Sequence, residues 1–255
     1  MSPIWAFITK EKLAMIDLPS LKRETRYGMP AADQILFNRH YVIGYSYYFR
    51  QAKWALEIID PDKEDITTVE RMDNFRSDYR IPQLFRADKQ DYRGSGHDRG
   101  HLVASADLRD TKIQNSETFL LSNMSPQKPQ FNRGIWKALE SEVRRLDCLD
   151  EVLETYVISG PIFNFDQPIL TIGMKDNNNV TLPVPHEYFK SILAETSTGR
   201  LKMWSFIFPN EATDSPIKNF QVKTSIIEKK AGILLWERLM GSEIESEKNK
   251  INAMW

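Results

Sequence analysis

Residues 94–110 read GSGHDRGHLVASADLRD and bring three glycines, two histidines and charges of both signs into one short tract. An imidazole has an ordinary pKa of about 6.5, so unprotonated His97 or His101 is a usable base near neutrality. Taken singly, these residues have ordinary explanations. A histidine beside a glycine is more often filler than catalyst, and Asp98 and Arg99 can form a surface ion pair worth little. Gly94, Gly96 and Gly100 can be turn residues. Metal binding is a second reading, because His97 and His101 are four apart and would share one face of a helix. The glycines argue against a helix there, no HExxH pattern is present, and no third ligand stands out.

Phosphodiester hydrolysis is the third reading. It needs a base for water and a cation to offset charge growing on the phosphate. A hard cation such as Mg2+ takes oxygen ligands and keeps several waters, so one or two side-chain oxygens suffice. The segment FNRGIWKALESEVRRLDCL offers them, with Ile135, Leu139, Val143 and Leu146 marking an amphipathic helix. With Ile135 at zero, a uniform helix puts Asn132 near about 60°, Glu140 near about 140° and Arg144 near about 180°. An amide, a carboxylate and a guanidinium then follow one edge of the buried stripe. The simpler alternative is that Asn132 caps the helix and Glu140 and Arg144 form an i, i+4 pair.

The two segments together resemble one family. DRGH (98–101), LLSNMSPQ (120–127) and FNRGIWKALE (131–140) followed by Arg144 are similar to the DNA/RNA non-specific endonucleases, which include endonuclease G and the Serratia-type enzyme. YVIGYS, SGPIF, VPHEYFK and FIFPN extend the similarity, more weakly, from about Gly28 to the C-terminal segment. The resemblance implies an α+β fold of the ββα-metal (His-Me finger) type, a mostly antiparallel central sheet flanked by helices. It implies His101 as general base and Asn132 as the direct protein ligand of Mg2+, with Mn2+ as the other candidate ion. It further implies Glu140 as the residue holding a metal-bound water, and Arg144 and Arg99 as cations near the phosphate. Asn123 and Gln127 match polar positions expected to bind substrate, and Arg80 and Arg86 are both candidates for an upstream substrate-contacting arginine. HLVASAD replaces the commoner HLAPSAD, and His97 stands where a tyrosine is frequent; neither departure touches an inferred chemical group.

Expected partners are DNA and RNA, with an inhibitor protein and a homodimer as further readings and no membrane. Two alternatives to a non-specific nuclease stay open. One is a nucleic-acid-binding member of the fold with weak turnover; the other is a phosphodiesterase for a different substrate. The net charge is −1 over 255 residues, so no strongly basic surface is evident overall. A basic groove on a neutral whole remains compatible with that charge. Residues 71–101 carry six Arg and one Lys against five Asp, a local positive surplus.

The elements that must position these groups read as follows. YVIGYSYYF (41–49) and WALEII (54–59) are strands joined by a turn at RQAK, and residues 60–110 form a long functional loop. TFLLSNMS (118–125) is a strand, and EVLETYVISGPIF contains one that ends at Gly160 and Pro161. Ile169–Met174 and Val180–Val184 form a hairpin closed by DNNN, MWSFIF (203–208) is a strand, and ILLWERLMG (233–241) is a helix capped by Gly241. No linker is visible, so residues 1–255 read as one domain with 1–33 as an irregular arm. The lone Cys148 excludes an intrachain disulfide and reads as a buried or half-buried inert thiol. The opening MSPIWAFITKEKL lacks a basic region and a long apolar core, which predicts a cytoplasmic protein unless a leader was removed or export follows another route.

Overall fold

Strands rich in β-branched and aromatic residues on both faces need cover on both faces. The computed structural model, which describes residues 22–59, 68–173 and 181–255, provides it. The main sheet joins β1 (Gln34–Phe37), β2 (Tyr41–Ser46), β3 (Gln51–Ile58), β6 (Val152–Ile162), β9 (Glu187–Thr196), β10 (Leu201–Pro209) and β11 (Gln221–Val222), in that order. Every pairing in it is antiparallel. A separate two-stranded sheet pairs β4 (Asp98–His101) with β5 (Met124–Gln127), and a short one pairs β7 (Thr171–Ile172) with β8 (Leu182–Pro183).

Neighbouring strand residues feed opposite cores. Tyr41, Ile43, Ala55, Val157 and Tyr188 face a core shared with Phe131, Trp136, Leu139 and Val143. Val42, Trp54, Leu56, Ile158 and Phe189 face a second core closed by Ile227, Ile233, Leu235 and Trp236. Burying each large apolar side chain contributes roughly 1.5–3 kcal/mol. That burial anchors the helix α2 (Lys137–Asp147) on the first face and α3 (Thr224–Ala231) on the second. Among the described residues no helix is long and apolar enough to cross a membrane.

Several boundaries differ from the sequence reading. The β2–β3 turn lies at Tyr47–Arg50, where Arg50 takes a positive φ of 53°, so Gln51–Lys53 belong to β3. β6 runs through Gly160 and Pro161, because β3 pairs only as far as Ser159 and the proline's missing N–H costs no ladder bond on that side. The strand expected at 118–125 is instead the end of α1 (Lys112–Thr118), a 3-10 turn at Leu121–Asn123 and β5. Within the expected loop 60–110, DRGH is itself strand β4. The segment 233–241 is irregular. Left-handed Gly232 ends α3, Ile233, Leu235 and Trp236 turn into the second core, and Gly241 precedes α4 (Ser242–Lys248) rather than closing a helix. The hairpin reduces to β7–β8, and its DNNN closure lies outside the described residues, as does the arm up to residue 21. Cys148 is exposed at the end of α2, not buried.

Candidate active site

The segment that follows β5 departs from a straight helix. It begins as one α turn at Pro129–Phe131, widens into a π turn at Asn132–Trp136, and becomes α2 only at Lys137. Gly134 has non-helical φ −98° and ψ −111°. The uniform 100° step therefore fails between Asn132 and Ile135, whereas Glu140 and Arg144 share α2 as predicted. Asn132 does not cap a helix; its side chain reaches across to β4.

β4, β5 and this broken helix bring the two sequence segments together. A cleft of about 520 Å³ is lined by His101, Arg99, Asn132, Glu140 and Arg144, with Arg71 added. Arg71 was not foreseen. Its Nη1 donates to Ser105 Oγ at 2.7 Å and its guanidinium lies 4.8 Å from the Phe119 ring. Arg80 is instead tied to Asp78, Asn38 and the Phe37 carbonyl. Arg86 stacks on Tyr79, and neither of the two expected arginines lines the cleft.

His101 closes β4 and is 9 % exposed, held edge-on by Phe119 and Phe75 at centroid distances of 5.1 and 5.8 Å. Its Nε2 is buried without a hydrogen-bond partner. Burial, then the positive charges of Arg71 and Arg99, push its pKa down to about 3, so the imidazole is neutral. Trp136 Nε1 donates to the His101 carbonyl at 3.2 Å, tying the strand end to the broken helix. Arg99 lies 4.0 Å over the Phe75 ring.

Asp98, the first residue of β4, organises the opposite wall. It accepts from Asn132 Nδ2 at 2.9 Å and from Arg133 Nε and Nη2 at 2.9 and 2.7 Å. Burial alone would raise its pKa, but these donors outweigh it and hold the carboxyl below its ordinary range. Donation from Nδ2 leaves Asn132 Oδ1 as the oxygen available to a cation. Among the described residues no group of three or more His, Cys, Asp or Glu is placed to hold a metal. A hard cation bound through one amide oxygen and waters suits this donor set better than a zinc-type cage.

A charge cluster runs from the cleft wall at Glu140 and Arg144 into the interior at Asp107, Glu57 and Lys190. Arg144 pairs with Asp107, not with Glu140 as an i, i+4 partner, and donates to Ser141 Oγ at 3.0 Å. Burial, then Asp107, raise the Glu140 pKa to about 7 against the opposing charges of Lys190 and Arg144. Burial pushes Glu57 well above its ordinary value, with Asp107 and Glu140 adding to it. Lys190, on β9, is 2 % exposed; its Nζ donates to Ser159 Oγ at 2.7 Å and sits 4.6 Å from the Trp136 ring. Glu57 and Lys190 were missed, although a charge inside an apolar strand such as ALEII or YFKSI is a legible signal.

Asn123 and Gln127 do not line the cleft, and the structure corrects the expectation that they touch substrate. Both are fully buried. Asn123 Oδ1 accepts from Val103 N–H at 3.0 Å, and its Nδ2 donates to the Val103 and Thr118 carbonyls at 2.9 and 3.0 Å. It is a clamp on the loop that leaves His101. Gln127 packs against Gly100, where an added Cβ would stand 2.0 Å from Gln127 Oε1. Only glycine allows β4 and β5 to approach this closely.

Comparison with known proteins assigns the chain to a family. The profile of the DNA/RNA non-specific endonuclease family matches residues 22–240. Mitochondrial endonuclease G of Caenorhabditis elegans is 31% identical over 232 residues, covering 87% of this chain and 74% of that protein. Nuclease C1 of Cunninghamella echinulata var. echinulata is 34% identical, covering 87% of this chain and 90% of its own. The EndoG/EndoGI complex structure contains a chain that superposes with a TM-score of 0.76 at 33% identity, covering 86% of this chain and 92% of that one. Its ββα-metal fold is the one expected here. With the match spanning most of its length, the chain belongs to the DNA/RNA non-specific endonuclease family and is a hydrolase of nucleic acids.

Proposed function

We propose that this nuclease cuts phosphodiester bonds in the cleft between β4 and the broken helix, with His101 as general base and Asn132 as the protein ligand of Mg2+. The observation that carries the assignment is the shared cleft: a neutral, buried imidazole and a carboxamide pinned by Asp98 line the same cavity. The donor set of hard oxygens is equally open to Mn2+. When bound, the cation would offset negative charge growing on the phosphate and the leaving oxygen.

The chain's own residues do the rest. Arg71, Arg99 and Arg144 line the cleft and attract the phosphate with charge-assisted hydrogen bonds. A bound phosphate also offsets the two arginine charges that depress the His101 pKa, so the ring becomes a stronger base once substrate is in place. His101 then takes the proton of the attacking water. Glu140, half-buried over Lys190 and Arg144, orders water on the cation's side of the cleft. Contacts from guanidinium groups to phosphate carry no base information, which accounts for the absence of sequence preference. An inhibitor protein fits the same reading, by analogy with the EndoG/EndoGI complex.

The experiment is cleavage of supercoiled plasmid and of RNA by the purified protein in Mg2+ or in EDTA. Cleavage of both polymers in Mg2+ alone is expected. Activity that persists in EDTA removes the metal, and cleavage of neither polymer removes the reading.

A further inference from the structure

A second depression, of about 360 Å³, opens beside the cleft and shares Asp98 and Arg99 with it. It is lined by Lys89, Gln90, Tyr92, Arg93 and His97. Lys89 and Arg93 are exposed, and neither side chain has an ion-pair partner among the described residues. The one carboxylate in the lining, Asp98, is already neutralised by Arg133. Tyr92 lines the depression but is only 6 % exposed, and its phenol oxygen is buried. His97 is held in place through Nδ1 and the Ser95 carbonyl at 3.0 Å.

Uncompensated cations around an open depression suit a phosphate diester. We propose that this depression is a second phosphate subsite. It takes the backbone phosphate of a nucleotide next to the one being cut, so the enzyme grips a strand rather than an isolated diester. Arg99, common to both depressions, bridges the two phosphates. The subsite rests on the phosphodiester reading of the cleft, but strand binding can be measured without turnover.

The test is fluorescence anisotropy of a labelled twelve-nucleotide single strand, in EDTA, over a series of salt concentrations. The proteins are the unaltered chain, the double variant Lys89→Gln/Arg93→Gln, and a control Lys202→Gln/Lys223→Gln on other elements. Losing one phosphate contact should weaken binding by roughly fivefold to tenfold and flatten the log–log salt slope by about 0.7. The control should match the unaltered chain. Failure of the unaltered chain to cleave in Mg2+ would strike the phosphodiester reading rather than the subsite. An unchanged affinity and slope in the double variant, or an equal loss in the control, overturns the subsite.

Discussion

Replacing His101 with glutamine should change the pH dependence of folding in a calculable way. Burial and the charges of Arg71 and Arg99 hold the folded-state pKa near about 3, against an ordinary 6.5. The unfolded chain takes up this proton below pH 6.5 and the folded chain only near 3, so between those values the unfolded state binds more protons. Folding is therefore weakened as pH falls through that window. Proton linkage gives a loss of about 2 kcal/mol between pH 7 and pH 5, growing to about 4 kcal/mol by pH 3. His101→Gln has no such proton to take up and should lack this component. Urea denaturation of both proteins at pH 7, 6 and 5 isolates it, because every other titrating group is common to the pair. The stability advantage of the variant should grow by about 2 kcal/mol on going to pH 5. Parallel curves, within about 0.5 kcal/mol, would mean that the ring is solvated and not held neutral by its surroundings.

Three further outcomes follow from the contacts around the ring. Asn123→Ala strands one buried N–H and two carbonyls and should cost about 3–5 kcal/mol in urea denaturation; a small stability change with a raised KM would restore a substrate contact. Gly100→Ala should lower stability by roughly 1–3 kcal/mol through its clash with buried Gln127, and adding Gln127→Ala should recover most of the thermal midpoint. Arg71→Ala should lower kcat/KM on plasmid by roughly tenfold or more, while Arg86→Ala changes it by less than about threefold; the reverse order in a steady-state comparison would return the upstream contact to Arg86.

Local motifs made much of the site readable in the sequence. DRGH and FNRGIWKALE carry His101, Arg99, Asn132 and Glu140, Arg144 follows one turn later, and all five line one cleft. What stayed hidden depends on contacts between distant segments. Polar residues inside LLSNMSPQ look alike whether they face a ligand or clamp a loop, and only burial separates the two for Asn123 and Gln127. Arg71 could not be chosen over Arg80 and Arg86, because the choice turns on Asp78 and Tyr79 capturing the other two. The broken helix escaped a periodicity argument because Ile135, Leu139 and Val143 keep their spacing whatever happens at Gly134. Continuous apolar strands were legible as strands, but the end of β6 was misread because proline is harmless where no partner strand lies alongside.

The central claim is that His101 and Asn132 serve one phosphate in different ways, the first through its proton and the second through the cation. Titration calorimetry with Mn2+, run beside plasmid cleavage on His101→Ala and Asn132→Ala, tests this most directly. The account predicts that His101→Ala binds the ion as the unaltered protein does yet loses cleavage by about a hundredfold or more. It predicts that Asn132→Ala loses both binding and cleavage. Undiminished Mn2+ binding by Asn132→Ala, or cleavage by His101→Ala at the unaltered rate, would contradict it.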